Sequence, residues 1–95
     1  MSRTELEWVR TWTVDVTGYT QVLTEAPLGR IKAIRLIRAV SRYDPGLAYS
    51  RRILEEGGRV PASLNEMTVE AIAQEFRDLG VQVNVVSDLM LAPVK

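Results

Sequence analysis

Apolar and polar residues alternate near the start of the chain. Even positions carry the apolar side chains and odd positions the polar ones, with Arg10 as an exception: Trp8, Trp12, Val14 and Val16 against Thr11, Thr13, Asp15 and Thr17. This two-residue period predicts a half-buried strand. Gly18 and Tyr19 predict a turn, and residues 21–24 predict a short return strand before the breaker at residues 27–29.

The pattern then changes to a helical one. A first helix is predicted from Gly29 to Arg42, and a second from Leu47 to Glu56, with Asp44 as its N-cap and Pro45 at its first helical position. Thr68 is expected to cap a third helix that ends at Gly80. Its apolar residues follow the three-and-four spacing of one buried stripe: Val69, Ile72, Ala73, Phe76 and Leu79.

Two further strands complete the predicted fold. Residues 59–64 are predicted to form a short strand, and its place is at an edge because Pro61 has no backbone N–H to donate within a central strand. Residues 81–85 are predicted to form the last strand, because valines alternate with polar residues there. The order β-α-α-β-α-β predicts an α+β two-layer sandwich with three helices on one face of a small, mainly antiparallel sheet. A single domain is expected over residues 1–95, with its core at about 8–86 and flexible tails at 1–6 and 87–95.

The amino-acid composition argues against several classes of function. The 46% apolar and 25% charged fractions are typical of a globular protein, and no secretion signal or membrane span is visible, which favours the cytoplasm. Cysteine and histidine are absent, so the sequence predicts no disulfide, metal site or cofactor. The adjacent carboxylates Glu55 and Glu56 would diverge by about 100° on a helix. No catalytic residue is therefore predicted, and the chain is expected not to be an enzyme.

Charge is distributed unevenly along the chain. The net charge is zero, but residues 30–52 contain seven basic residues and one acid, Asp44, so they carry +6 and the remainder carries −6. Helical projection gathers Arg35, Arg38 and Arg42 opposite the apolar arc, with Ile31 among them. An apolar side chain ringed by arginines is typical of an interface centre, although Ile31 could instead pack under residues 27–28. The partner of this face should be acidic.

Three stretches carry a family resemblance. The stretches are residues 29–38 (GRIKAIRLIR), Gly46-Leu47 with residues 51–55 (RRILE), and residues 68–83 (TVEA through DLGVQV). They resemble the three helices and closing strand of the C-terminal domain of the bacterial ribosomal stalk protein. The resemblance covers about Trp12 to Val86. In that family the domain binds translation GTPases, notably elongation factors Tu and G and initiation factor two, through the face of its first two helices.

The resemblance implies a stand-alone stalk-like module that takes part in translation. Residue by residue, the family's contacts fall on Ile31, Arg35, Arg38, Leu47 and Arg51. Arg35 and Arg51 replace lysines, which keeps the charge but changes the donor geometry. Together with the other basic residues of the segment, the expected partner-binding set is Arg30, Ile31, Lys32, Arg35, Arg38, Arg42, Leu47, Arg51 and Arg52.

Other functions stay open at this point. The same arginines could bind nucleic acid, although the neutral net charge and the pI near 6.2 argue against it. An adaptor for an AAA+ protease is a further alternative, since such adaptors share the stalk-type fold. Trp8 and Trp12 are expected to belong to the core or to a pairing edge, and an exposed edge would allow two copies to associate.

Overall fold

Two long strands form the centre of the sheet. The computed structural model describes residues 5–94. Strand β1 (Leu6–Tyr19) pairs antiparallel with strand β3 (Val81–Pro93), in a register that runs unbroken from Leu6 opposite Pro93 to Val16 opposite Val83. A bulge follows between Val16 and Gly18. Strand β2 (Gly58–Arg59) pairs antiparallel with the other edge of β1, so the sheet order is β2-β1-β3.

Four helices occur among the described residues. They are α1 (Gln21–Glu25), α2 (Gly29–Val40), α3 (Leu47–Glu56) and α4 (Glu66–Asp78). Each of the three longer helices places a buried stripe toward the sheet, and no helix within residues 5–94 is long and apolar enough to cross a bilayer. The fold is α+β with a three-stranded antiparallel sheet, as the class predicted from the sequence requires.

One face of the sheet contributes side chains to the core. Val14, Val16 and Val83 are almost fully buried and lie on the same face, because directly paired residues of antiparallel strands point to the same side. The helices cover this face with side chains that are themselves buried: Leu23, Ala33, Ile37, Ile53, Leu54, Val69, Ala73 and Phe76. A single apolar core therefore fixes the positions of α2 and α3.

The return strand predicted for residues 21–24 is wrong, because these residues form α1. Within one helical turn Leu23 enters the core while its neighbour Val22 stays exposed. The edges of β1 near this turn are already occupied by β2 and by β3, where Thr20 N donates to Gly80 O at 2.7 Å. The order of elements accordingly contains one helix more than predicted.

Two predicted caps are also wrong. Asp44 does not cap α3, whose N-cap is Gly46, and Thr68 lies inside α4, where its backbone N–H donates to the side chain of the true N-cap, Asn65. The first helix ends at Val40, two residues before the predicted end. The predicted 59–64 strand is reduced to β2, after which the chain follows β1 to a single bridge between Leu64 and Trp12.

The C-terminal segment extends the sheet beyond the helices. Residues 87–93, expected as part of a tail, belong to β3 and pair with residues 6–12 of β1. Trp8, expected in the core or at an edge, is 67% exposed on this extension. The molecule is correspondingly elongated: it measures 58 × 23 × 18 Å, and its radius of gyration is 15.2 Å, against about 12 Å for a compact chain of this length. Residues 1–4 and 95, also assigned to tails, lie outside the described residues.

Candidate protein-binding surface on helices α2 and α3

The start of α2 is held tightly against α1. Gly29 is buried, and a Cβ atom built on it would lie only 2.3 Å from the carbonyl oxygen of Leu23. The preceding Leu28 adopts the left-handed conformation (φ 58°, ψ 20°), which is unusual for a residue with a side chain. This tight turn determines where the first exposed residues of α2, Arg30 and Ile31, emerge from the body.

Ile31 is an exposed apolar residue in a basic surface. Its side chain is 47% exposed, whereas Ala33 and Ile37 on the opposite side of α2 are completely buried. The alternative was that Ile31 packs under residues 27–28. Ile31 does line a shallow cavity together with Leu28 and Gly29, but this contact does not bury its side chain. Nearly half of an apolar side chain remains available to a partner.

Ile31 also lines a groove between α2 and α3. The groove is a cavity of about 310 Å³ whose floor is apolar and whose walls carry two arginines and one acid: Arg30, Ile31, Ile34, Arg51, Leu54 and Glu55. The guanidinium of Arg30 lies 5.3 Å from the centre of the Tyr19 ring, within the range of a cation–π interaction. Helices α2 and α3 thus bring Arg30 and Arg51 to the two sides of one apolar residue.

Lys32 and Arg35 face a different groove, between α2 and α4. This cavity of about 460 Å³ has an apolar floor made by Leu36, Ala39 and Leu79. Its far wall carries Glu75 and Asp78. No ion pair within 4 Å joins the two walls in the described part of the chain. The basic residues of α2 are therefore divided between its two flanks, and α4 opposes one of these flanks with negative charge.

Arg38 is neutralised by the chain's own carboxylate. Its Nε donates to Asp44 Oδ1 at 2.9 Å and its Nη2 to Asp44 Oδ2 at 2.7 Å, a two-pronged pair. This pair, together with the backbone N–H of Gly46, lowers the pKa of the Asp44 carboxyl from 3.8 to about 2. Both side chains remain accessible. Arg38 therefore offers a partner much less free charge than its neighbours do.

The remaining predicted residues lie around the loop between α2 and α3. Arg42 stacks over Tyr43 at 5.6 Å, and its backbone N–H donates to Pro61 O. Leu47, at the first turn of α3, is exposed, and so is Arg52. Within residues 5–94 the only ion pairs join Arg38 to Asp44 and Arg59 to Asp15, so six of the seven basic residues in the predicted set pair with no described carboxylate.

The sequence did not indicate the aromatic residues beside this surface. Tyr43 is 75% exposed, and with Tyr49 and two prolines it borders a cavity of about 310 Å³. Tyrosines in a loop and at a helix start have no period that would mark them as exposed. The acidic wall of α4 was also missed, since the contact between α2 and α4 is a tertiary one.

Comparison with protein-family models, curated proteins and solved structures gave no match for this chain.

Proposed function

We propose that the chain is a non-enzymatic protein-binding module that binds an acidic protein surface through α2 and α3. The observation that carries the proposal is the half-exposed Ile31 between Arg30 and Arg51. Interface hot spots combine an apolar anchor that loses its water with guanidinium groups that hold carboxylates in a planar geometry. The resemblance to the ribosomal stalk domain adds a partner class, translation GTPases, and a place of action, the cytoplasm.

Charge supports the same face. Residues 30–52 carry +6, and only Arg38 among them is neutralised within the described chain. Like charges close together on a helix cost a few tenths of a kcal/mol per pair, and a partner's carboxylates would remove that cost. Complementary charge mainly increases the association rate and the specificity, while burial of Ile31 would supply affinity. Arg30, Ile31 and Arg51 are the residues that should dominate, followed by Arg35.

The test is to titrate the chain with purified elongation factor Tu, elongation factor G and initiation factor two, and to measure each dissociation constant by isothermal titration calorimetry. Replacing Ile31 with alanine should weaken binding about tenfold, as truncation of a hot spot does. Met67→Ala is the matched control, because Met67 is an exposed apolar residue on α4. The role of charge is tested by reversing it at two positions. Arg51→Glu, in the α2–α3 groove, should weaken binding, and the control Arg77→Glu, on α4, should not.

Two outcomes would overturn the proposal. The first is that the chain binds none of the three translation GTPases at a concentration of about 100 µM. Even a weak complex, with a dissociation constant of roughly 10 µM, would be about nine-tenths formed at that concentration. The second is that Ile31→Ala and Met67→Ala weaken binding equally. Binding would then not depend on the α2–α3 face in particular.

A second candidate, single-stranded nucleic acid, is favoured by Tyr43. The ring is 75% exposed next to Arg42, and exposed aromatic rings beside guanidinium groups can stack on bases. Binding of this kind should fall steeply with salt and should depend on Tyr43, whereas Ile31→Ala should leave it nearly unchanged. Titrations with an oligonucleotide at two salt concentrations, with wild type and Tyr43→Ala, separate the two functions.

A further inference from the structure

Strands β1 and β3 continue past the helices as a two-stranded ribbon, and one face of this ribbon carries negative charge. We call residues 6–11 of β1 together with residues 88–93 of β3 the β arm. Side chains alternate between the two faces of a strand, and the buried Val14 and Val16 show that even positions of β1 face the core. The odd positions of β1 and the residues paired with them therefore form the outer face of the arm.

The outer face has an apolar centre between two carboxylates. Val9 pairs directly with Met90, which is 39% exposed although Ser63 Oγ lies 3.8 Å from its sulfur. On this face the next pair toward the tip contains Glu7, and the next pair toward the body contains Asp88 on the other strand. One oxygen of Asp88 accepts a neighbouring backbone N–H at 2.8 Å. Neither carboxylate forms an ion pair within residues 5–94.

The groove between α2 and α3 has the inverse pattern. There the half-exposed Ile31 lies between Arg30 and Arg51. The Cα atoms of Glu7 and Asp88 are about 14 Å apart, since four residues of strand rise about 3.4 Å each and the strands lie about 5 Å apart. Arginines on two packed helices, whose axes are about 8–10 Å apart, can reach groups at this separation. The two surfaces therefore match in charge and in the place of the apolar residue.

The two surfaces lie at opposite ends of the molecule. The Arg30 guanidinium is 5.3 Å from the centre of the Tyr19 ring, and Tyr19 ends β1 on the side away from the arm. The strand from Val9 or Glu7 to Tyr19 spans about 35–40 Å at about 3.4 Å per residue, within a molecule that is 58 Å long. The arm of a chain cannot reach its own groove, so only another copy can bring the two surfaces together.

We propose that the outer face of one copy's arm binds in the α2–α3 groove of a second copy. The apolar pair of the arm packs on Ile31, and the two carboxylates pair with the arginines on the walls of the groove. This inference rests on the proposed binding face and names an acidic occupant for it. Because the two surfaces differ, the contact is head-to-tail, and each pair of copies keeps one free arm and one free groove from which longer chains can grow.

Head-to-tail association regulates access to the binding face. The arm occupies the same groove as an acidic partner would, so self-association and partner binding exclude each other. The contact is small and charged: interfaces that bury less than about 1,200 Å² are typically transient, and exposed charges are screened over about 10 Å at 0.1 M salt. Association is therefore expected at high protein concentration and low salt.

Sedimentation velocity of the purified chain, from about 10 to 1,000 µM in about 20 and 300 mM salt, tests the proposal. The average mass should rise with concentration at low salt and fall at high salt. A face variant, Arg30→Glu with Arg51→Glu, should associate at least tenfold more weakly, and so should an arm variant, Glu7→Lys with Asp88→Lys. All four side chains are exposed, so circular dichroism should show that both variants stay folded.

A control variant separates location from net charge. Glu66→Lys with Glu70→Lys, on α4, changes the net charge as much as the arm variant does, and both side chains are exposed. Its association should stay within about threefold of wild type.

Mixing the face and arm variants makes the test specific for head-to-tail contact. The face variant keeps its acidic arm and the arm variant keeps its basic groove. The mixture should therefore associate to within about threefold of wild type, although neither variant does so alone. A wild-type chain that stays monomeric at about 1,000 µM in low salt would contradict the proposal. So would a face or arm variant that associates as wild type does, or a mixture that stays monomeric.

Binding of the translation GTPases, measured separately, keeps this inference apart from the proposed function. The arm variant retains the α2–α3 face and should bind such a factor at least as tightly as wild type. If head-to-tail association occurs but the arm variant binds none of the factors, the proposed function fails and the assembly stands. If wild type binds a factor and never self-associates, the assignment of the arm fails and the proposed function stands.

Discussion

Replacing Gly29 with alanine tests how α2 is attached to the body. Helix propensity alone predicts that alanine is more favourable than glycine by up to about 1 kcal/mol. The structure predicts the opposite sign, since the new Cβ would lie 2.3 Å from Leu23 O and 3.3 Å from Ala26 Cβ. The carbonyl belongs to the backbone of α1 and cannot rotate away, so α1 and α2 must separate by about 1 Å.

The cost follows from overpacking. Inserting a methyl group into a tightly packed site destabilises by about 1–3 kcal/mol, and for a domain of this size each kcal/mol lowers the melting temperature by about 4–8 °C. At the middle of this range, the propensity gain of about 1 kcal/mol leaves a net loss of about 1 kcal/mol. Gly29→Ala should therefore lower the melting temperature by about 4–8 °C in a thermal denaturation followed by circular dichroism. Movement of α2 should also shift Arg30 and Ile31, and so weaken binding of the proposed acidic partner.

The control separates packing from propensity. Ala39 is an exposed residue on the same helix, and Ala39→Gly should cost only the propensity difference of about 1 kcal/mol. A Gly29→Ala variant that is as stable as wild type, or more stable, would refute the close approach of α1 to α2.

Four individual residues give further predictions. Leu28→Gly should raise the free energy of unfolding by about 0.5 kcal/mol, since relief of the left-handed strain exceeds the entropy cost of glycine, and urea denaturation would measure it. Phe76→Ala should lower it by about 3–5 kcal/mol in the same assay, because Phe76 is completely buried. The Asp44 carboxyl should titrate near pH 2 in a carbon-13 NMR experiment, so the stability that its pair with Arg38 contributes is present above about pH 4 and is lost as the pH falls toward 2. Arg38→Ala should raise that midpoint but leave it below 3.8, since Gly46 N–H still donates to the carboxylate.

Local signals in the sequence predicted the helical part of the fold well. The bounds of α3 and the start of α2 agree with the structure, because glycines mark both ends of α3 and the start of α2. Residues 21–24 were assigned wrongly because four residues contain too few periods to separate a helical turn from a strand. The extension of β3 was missed for a different reason: Ser87 and Asp88 interrupt the alternation, and only the long-range pairing with β1 makes them part of a strand.

The candidate surface shows the same division between local and tertiary information. Periodicity along α2 correctly separated the exposed Arg35 and Ile31 from the buried Ile37. It could not indicate that Asp44 turns back to neutralise Arg38, since the two are six residues apart and the loop conformation between them decides the contact. Nor could it place an acidic wall on α4.

That acidic wall determines how a partner can approach the proposed binding face. Glu75 and Asp78 oppose Lys32 and Arg35 across the α2–α4 groove, so an acidic protein that approached from this side would meet repulsion as well as attraction. The α2–α3 side offers Arg30 and Arg51 around Ile31, with Glu55 as the single acid on its wall. An acidic partner should therefore lie over α3, and reversing Glu75 to lysine should strengthen binding at low salt by opening the second side. If Glu75→Lys changes neither affinity nor its salt dependence while Arg51→Glu abolishes binding, the α4 wall has no part in orienting the partner, and the α2–α3 groove alone determines the docking geometry.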